Sequence, residues 1–264
     1  MESITDIKNK LAEIKGLNLY KEGGLDFAIN SYIDFCEEYS LDERSGVVKL
    51  VKSAETQQKK LAQEKSRLSA MIDFESHFYD RQYIAGIDEV GRGPLAGPIV
   101  TAAVVLPHGL MIPYVNDSKQ LSEEKREELF DIIMDKAISV ACGMHSEQEI
   151  DDMGIAPADS DAMKMAALKL SVKPDFILVD AFPIKELDIE QYPIIKGDTK
   201  SISIAAASIV AKVTRDRLMV KLDEKYPGYG FAKNKGYGSA EHIEAIKTMG
   251  PCPAHRRSFI KNFV

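Results

Sequence analysis

Four short apolar segments constrain this chain most. They cover residues 83–90, 99–106, 176–179 and 192–195, and three of the four end at or just before acidic residues. Runs of this length, rich in Val and Ile and bounded by Gly or Pro, read as buried strands. The first two are joined by the turn Gly91-Arg92-Gly93-Pro94-Leu95-Ala96-Gly97-Pro98, which predicts a hairpin. Residues 137–144 are expected to add a strand, and the later strands alternate with helical patterns. The expected fold class is therefore α/β, a mixed sheet that starts antiparallel, continues parallel and is flanked by helices.

The helices are legible from their starts and spacing. Ser122 is an N-cap followed by Glu123 and Glu124, where the dipole favours acids, and Leu129, Ile132 and Ile133 recur at helical spacing. Helices are also expected over 147–153, 157–170, 201–226 and 240–249. Ala205, Ala206, Ala207 and Ser208 make one face of the 201–226 helix small, so it can lie close against a sheet. Residues 229–238 read as a Gly-, Lys- and Tyr-rich loop.

Residues 1–79 have a different character. Ile7, Leu11 and Ile14 follow helical spacing, and 57–68 is polar with charges of both signs. This predicts two or three helices without a motif, serving as a solvated face or a partner surface. Two domains are expected: a helical N-terminal extension over 1–79, and a sheet-based domain over 80–264 that includes a C-terminal helical segment.

Composition narrows the setting. With 45% hydrophobic residues the 264-residue chain has ample core. No apolar run approaches the length of a membrane span, and the N-terminus lacks the pattern of a signal peptide. Cys36, Cys142 and Cys252 are scattered, which argues against a disulfide framework or a zinc site and for a reduced cytoplasmic location. The net charge of −7 speaks against a nucleic-acid partner until its distribution is considered. Residues 196–264 hold 13 Lys and Arg against 6 Asp and Glu, so the last quarter is a candidate basic face.

The acids carry the chemistry. Asp88 and Glu89 are adjacent near the end of an apolar strand, Asp180 follows the apolar run 176–179, and Asp198 follows 192–195 just before a helix. Any one of them reads equally as a surface acid or, for Asp198, a helix cap. Together they mark several strand ends, where ligands gather in open α/β sheets. An all-oxygen donor set suits Mg²⁺ or Mn²⁺ better than zinc, and such sites commonly perform phosphoryl chemistry with two ions.

Two loops add candidates. The segment Gly91-Arg92-Gly93 is neither a Walker loop nor a dinucleotide fingerprint. It is either a plain glycine turn or a close backbone approach to a ligand. Tyr237, within Lys233-Asn234-Lys235-Gly236-Tyr237-Gly238, suits stacking on a sugar or base, or covers the core. His255-Arg256-Arg257 reads as a phosphate contact or a solvated end.

These pieces resemble a known family. AGIDEVGRGPLAGP, DSKQLSEEKR, LVDAF, KGDTKSISIAAASIVAKVTRDR, YGFAKNKGYGS and HRRSF, in that order, resemble bacterial ribonuclease HII, a type 2 ribonuclease H. The resemblance spans about 83–259 and implies an RNase H-like sheet. It implies that Asp88, Glu89, Asp180 and Asp198 are catalytic and hold the metal, Mg²⁺ or Mn²⁺, with two ions in the catalytic complex. It also implies that Gly91, Arg92 and Gly93 read the ribose 2′-hydroxyl. By the same resemblance, Tyr237 is expected to touch that hydroxyl and stack on the following deoxyribose, and Lys119 to support the phosphate backbone. The implied activity is endonucleolytic hydrolysis of RNA in RNA–DNA hybrids and cleavage 5′ to single ribonucleotides in DNA, leaving 3′-hydroxyl and 5′-phosphate ends. The implied partner is an RNA–DNA hybrid or a DNA duplex containing ribonucleotides, bound by a monomer, with no membrane. Two alternatives remain open at this point: a non-catalytic hybrid-duplex binder, and a DNA-directed nuclease or recombinase of the same fold.

Overall fold

Apolar runs buried on both faces set the middle three strands of a five-stranded sheet. Its strands are β1 (Ile84–Val90), β2 (Ile99–Val105), β3 (Ser139–His145), β4 (Phe176–Asp180) and β5 (Glu190–Ile194), in the order β3-β2-β1-β4-β5. β1 pairs antiparallel with β2, and β2 with β3, whereas β1–β4 and β4–β5 are parallel. The mixed sheet expected from the pattern is the sheet observed. β5 holds Pro193 in its middle, which is tolerated because β5 is an edge strand with one partner.

The computed structural model describes residues 2–264 and divides into two units, residues up to 73 with 111–114, and 74–110 with 115–264. In the first unit lie α1 (Ile4–Lys15), α2 (Gly24–Glu38) and most of α3 (Ser45–Ser76), whose residues 74–76 belong to the second unit. Ser3 caps α1, its side chain accepting the Asp6 amide at 3.2 Å. Ile7 and Leu11 are buried, together with Leu25, Ala28, Tyr32 and Phe35 of α2. The polar stretch 57–68 lies inside the single 32-residue helix α3, which buries Val47, Ala54, Leu61 and Leu68. Their seven-residue spacing keeps one narrow stripe inward while charges occupy the rest of the surface.

In the second unit the remaining helices are α4 (Glu123–Lys136), α5 (Glu147–Met153), α6 (Ile155–Leu168), α7 (Ile202–Lys225), the short α8 (Phe231–Asn234) and α9 (Ala240–Met249). The region 229–238, expected to be a loop, thus contains a turn of helix. Helices α6 and α7 take opposite faces of the sheet. Ala85, Ile87, Ile177 and Val179 pack with Met163, Ala166 and Ala167 of α6. Ile84, Phe176 and Leu178 pack with Ile204 of α7. The approach of α7 is very close: a Cβ on Gly86 would sit 2.1 Å from the Ser203 carbonyl carbon. Only glycine in β1, facing the small residues of α7, permits this contact. Ser122 and Ser239 cap α4 and α9 by accepting the amides of Lys125 and His242.

Candidate metal centre

The period of two in β1 sends Asp88 toward the α7 face and Glu89 toward the α6 face. Asp88 accordingly hydrogen-bonds Ser208 of α7, while Glu89 feels the charge of Asp159 on α6. The parallel register pairs Ile87 with Val179, so the next residue, Asp180, stands beside Asp88 at the end of β4. β1 continues past that end through Glu89 and Val90. One carboxylate oxygen from each of Asp88, Glu89 and Asp180 then lies within 4.8 Å of the others.

Asp198 stands next to this trio, outside the 4.8 Å set. It lies in the 3-10 turn Gly197–Thr199 that follows β5. Asp180 Oδ1 accepts the Gly197 amide at 2.7 Å, which fixes that turn to the end of β4. Asp198 is buried and interacts electrostatically with Asp117, Asp180 and Lys119.

Electrostatics mark the site as short of positive charge. Burial, followed by the charge of Asp180, raises the Asp88 carboxyl, against the Ser208 hydroxyl, which lowers it. Burial and the Asp88 charge raise Glu89 further, against Arg92. Burial with Asp117 and Asp180 pushes Asp198 up to about 6. Lys119 sits at the rim of these acids. Burial lowers it, but Asp117, Asp88, Asp198 and Glu89 more than offset that and raise it, so it stays charged.

The glycine loop and the Tyr237 loop are held by two buried arginines. Arg215, on α7, donates from Nε to Pro98 O (2.9 Å), from Nη2 to Ala96 O (3.1 Å) and from Nη1 to Lys235 O (2.8 Å). Arg256 donates from Nε to Gly97 O (2.9 Å), from Nη1 to Arg92 O (3.1 Å) and from Nη2 to Gly91 O (2.6 Å). Both are fully buried. The planar five-donor fork is what lets one side chain satisfy three carbonyls. Gly91 has φ +100, and a Cβ there would meet Arg215 Nε at 2.4 Å. A Cβ on Gly93 would meet nothing within 4 Å, so that side of the loop is open. Arg92 points outward and pairs with Asp159 (3.4 Å) and Glu89 (3.8 Å). Tyr237 is 43% exposed, and Arg215 lies 5.9 Å from its ring centre.

The structure thus brings Asp88, Glu89 and Asp180 together, with Asp198 and Lys119 beside them. Arg92 borders the same acids, and Tyr237 is tied to the glycine loop through Arg215. Of the segment His255-Arg256-Arg257, the first two residues are buried. Arg256 is neither a solvated end nor a phosphate contact, because all its polar partners are backbone carbonyls. Sequence reasoning missed Arg215, Asp117 and Asp159, and it put Arg256 at a phosphate or in solvent instead of in the interior. Asp159 is 7% exposed, and its Oδ1 has no hydrogen-bond partner. No local signal marks these residues, because the groups each one meets lie far away along the chain.

Solved structures share this fold. The ribonuclease H2 from Pyrococcus horikoshii OT3 is similar with a TM-score of 0.57 and 32% identity over 67% of this chain and 93% of that one. The structure described as the PCNA:RNase HII complex from Archaeoglobus fulgidus gives 0.57 and 28% over 66% and 94%. An RNase H-like sheet with acids gathered at its strand ends defines the class.

The profile of Ribonuclease HII matches residues 85–262, and that of the Ribonuclease HII N-terminal domain matches 27–79. The chain is 55% identical over 254 residues to "Ribonuclease HII" of Lachnoclostridium phytofermentans, covering 96% of this chain and 97% of that one. It is 50% identical to "Ribonuclease HII" of Acetivibrio thermocellus over 87% and 90%. The chain belongs to the ribonuclease HII family, which makes it an endoribonuclease.

Proposed function

We propose that this chain hydrolyses the RNA strand of RNA–DNA hybrids and cuts 5′ to single ribonucleotides embedded in duplex DNA, leaving 3′-hydroxyl and 5′-phosphate ends. The observation that carries this reading is the convergence of carboxylate oxygens from Asp88, Glu89 and Asp180 within 4.8 Å. The carboxyls of Asp88, Glu89 and Asp198, held above their ordinary range by burial and by neighbouring acids, fit a divalent cation, which would relieve both costs. Their oxygen-only donor set suits Mg²⁺ or Mn²⁺. Asp88, Glu89, Asp180 and Asp198 would hold two such ions. Bound divalent ions would supply activation of the attacking water and stabilisation of the leaving oxygen.

The remaining roles fall to side chains and backbone around that centre. The open face of Gly91, Arg92 and Gly93 is suited to reading a ribose 2′-hydroxyl, the group that distinguishes RNA from DNA. The exposed ring of Tyr237 is suited to stacking on the next sugar. Lys119, charged and beside the acids, is suited to steadying a phosphate. The enzyme works as a monomer in the cytoplasm, a setting that fits three free cysteines. The test is incubation with Mg²⁺ or Mn²⁺ and a DNA duplex holding one ribonucleotide. A single nick on its 5′ side is expected. An intact duplex, or equal cutting of an all-DNA duplex, would exclude the reading.

A further inference from the structure

Behind the Tyr237 loop lies a buried chain of hydrogen bonds outside the roles described so far. His242 Nδ1 is 2.8 Å from the Tyr237 carbonyl oxygen. His242 Nε2 is 3.0 Å from His255 Nε2. The Cys252 amide donates to His255 Nδ1 at 3.0 Å. Both rings are buried, His242 at 0% and His255 at 2% exposure. Phe231 packs edge-on against His242, and Tyr229 edge-on against His255.

For two neutral rings these partners leave one proton arrangement. A carbonyl oxygen only accepts, so His242 carries its proton on Nδ1. Its Nε2 is then a lone pair, and His255 must donate from Nε2. The neutral His255 ring therefore presents a lone pair at Nδ1, which is what the Cys252 amide requires. With both rings neutral, any other tautomer of the pair sets two donors or two acceptors against each other, and His255 Nδ1 also lies 3.2 Å from the Cys252 carbonyl oxygen and from Cys252 Sγ. Burial lowers the basicity of both rings, which agrees with their being neutral.

The far end of the chain is anchored to the glycine loop. His255 forms an isolated antiparallel bridge with Ala96, and the Arg256 amide donates to Leu95 O at 2.9 Å. The Leu95 amide in turn donates to Gly236 O, next to Tyr237, at 2.8 Å. The Tyr237 backbone is therefore held from both sides by a segment that touches no acid of the metal centre.

We infer that His242 and His255 form a polarised relay that fixes the Tyr237 backbone, making them positioning residues for recognition of the ribonucleotide by the Tyr237 ring. The inference rests on the proposed role of Tyr237 and adds residues that act on it only through hydrogen bonds. A relay differs from ordinary core packing in two ways. It dictates tautomers, and its loss removes the advantage that Tyr237 confers.

Two measurements test it on the full-length protein. Long-range ¹H–¹⁵N NMR of the native chain should show His242 as the Nδ1–H tautomer and His255 as the Nε2–H tautomer near neutral pH. The opposite assignment, or a charged ring, would overturn the relay. The second measurement is a double-mutant cycle on the single-ribonucleotide duplex. His242→Phe keeps an aromatic ring without the bonds and should lower kcat/KM about tenfold, while Tyr237→Ala in that background should add less than about twofold. Effects that simply multiply would mean that His242 serves stability alone, and would overturn the relay. Tyr237→Ala without effect in the native background would remove the role of Tyr237 itself, a separate failure. Should His242→Phe not fold, the tautomer measurement on the native chain decides.

Discussion

The carboxylate of Asp180 accepts the backbone amide of Gly197 at 2.7 Å. This bond joins the end of β4 to the turn that carries Asp198. It brings two acids 18 residues apart to one edge of the sheet, beside Asp88 and Glu89. Site assembly thus depends on backbone amides as much as on the acids, and the predictions below follow from that view.

Asp88→Asn should abolish cleavage and stabilise the metal-free protein at pH 8 by roughly 1–3 kcal/mol, because it removes a buried repulsive charge. Burial, chiefly, raises the folded pKa of Asp88 above its unfolded value. Its ionisation therefore costs folding energy as pH rises through the folded value, and costs nothing below the unfolded one. The advantage of the variant should shrink as pH falls and vanish below about pH 4. Urea unfolding with chelator present measures this. A variant less stable than the native chain at pH 8 would contradict it.

Tyr237→Ala should slow cleavage at a single ribonucleotide by roughly 10- to 100-fold, the scale of a lost stacking contact. Mn²⁺ affinity, read by calorimetry, should be unchanged, since the ring belongs to no acid of the centre. Equal rates for variant and native enzyme would rule out the contact.

Arg215→Lys should destabilise the protein by about 2–4 kcal/mol. An ammonium cannot reach Pro98, Ala96 and Lys235 carbonyls together, and each carbonyl left bare in the interior is costly. The variant should lose kcat/KM on the single-ribonucleotide duplex while keeping its metal affinity. Chemical unfolding and steady-state kinetics give both numbers, and wild-type values in both would contradict the stapling role.

Glu75 is a buried acid that accepts Ser201 Oγ at 2.5 Å, the Ser203 amide at 2.8 Å and Ser203 Oγ at 3.1 Å. It therefore closes the N-terminus of α7, the end next to Asp198. Glu75→Ala should cost about 2–4 kcal/mol, and Glu75→Gln less, because an amide oxygen still accepts the Ser203 amide. Equal losses for the two variants, measured by urea unfolding, would show that the hydrogen bonds are immaterial.

The sheet was largely legible because its signals are local. Residues 84–90, 99–105 and 176–180 alternate or run apolar between breakers, and their acids sit at strand ends visible in one dimension. Gln57 to Leu68 was harder, since one buried residue in seven is a faint stripe in a charged helix. The inward turn of Arg215 and Arg256 was not legible. A guanidinium is buried only where distant carbonyls converge on it, and those carbonyls come from residues 91–98 and 235. Asp117 and Asp159 escaped notice for the same reason. Their neighbours in space, Asp198 and Arg92, lie far away in sequence, and no spacing rule encodes them.

Asp88, Glu89, Asp180 and Asp198 are proposed to gather divalent ions at the end of the sheet. Anomalous diffraction from crystals grown with Mn²⁺ and a duplex containing one ribonucleotide tests it most directly. Manganese peaks are expected among those four side chains, next to the phosphate on the 5′ side of the ribonucleotide. Manganese absent from that cluster, or ligated elsewhere while the enzyme cuts, would contradict it.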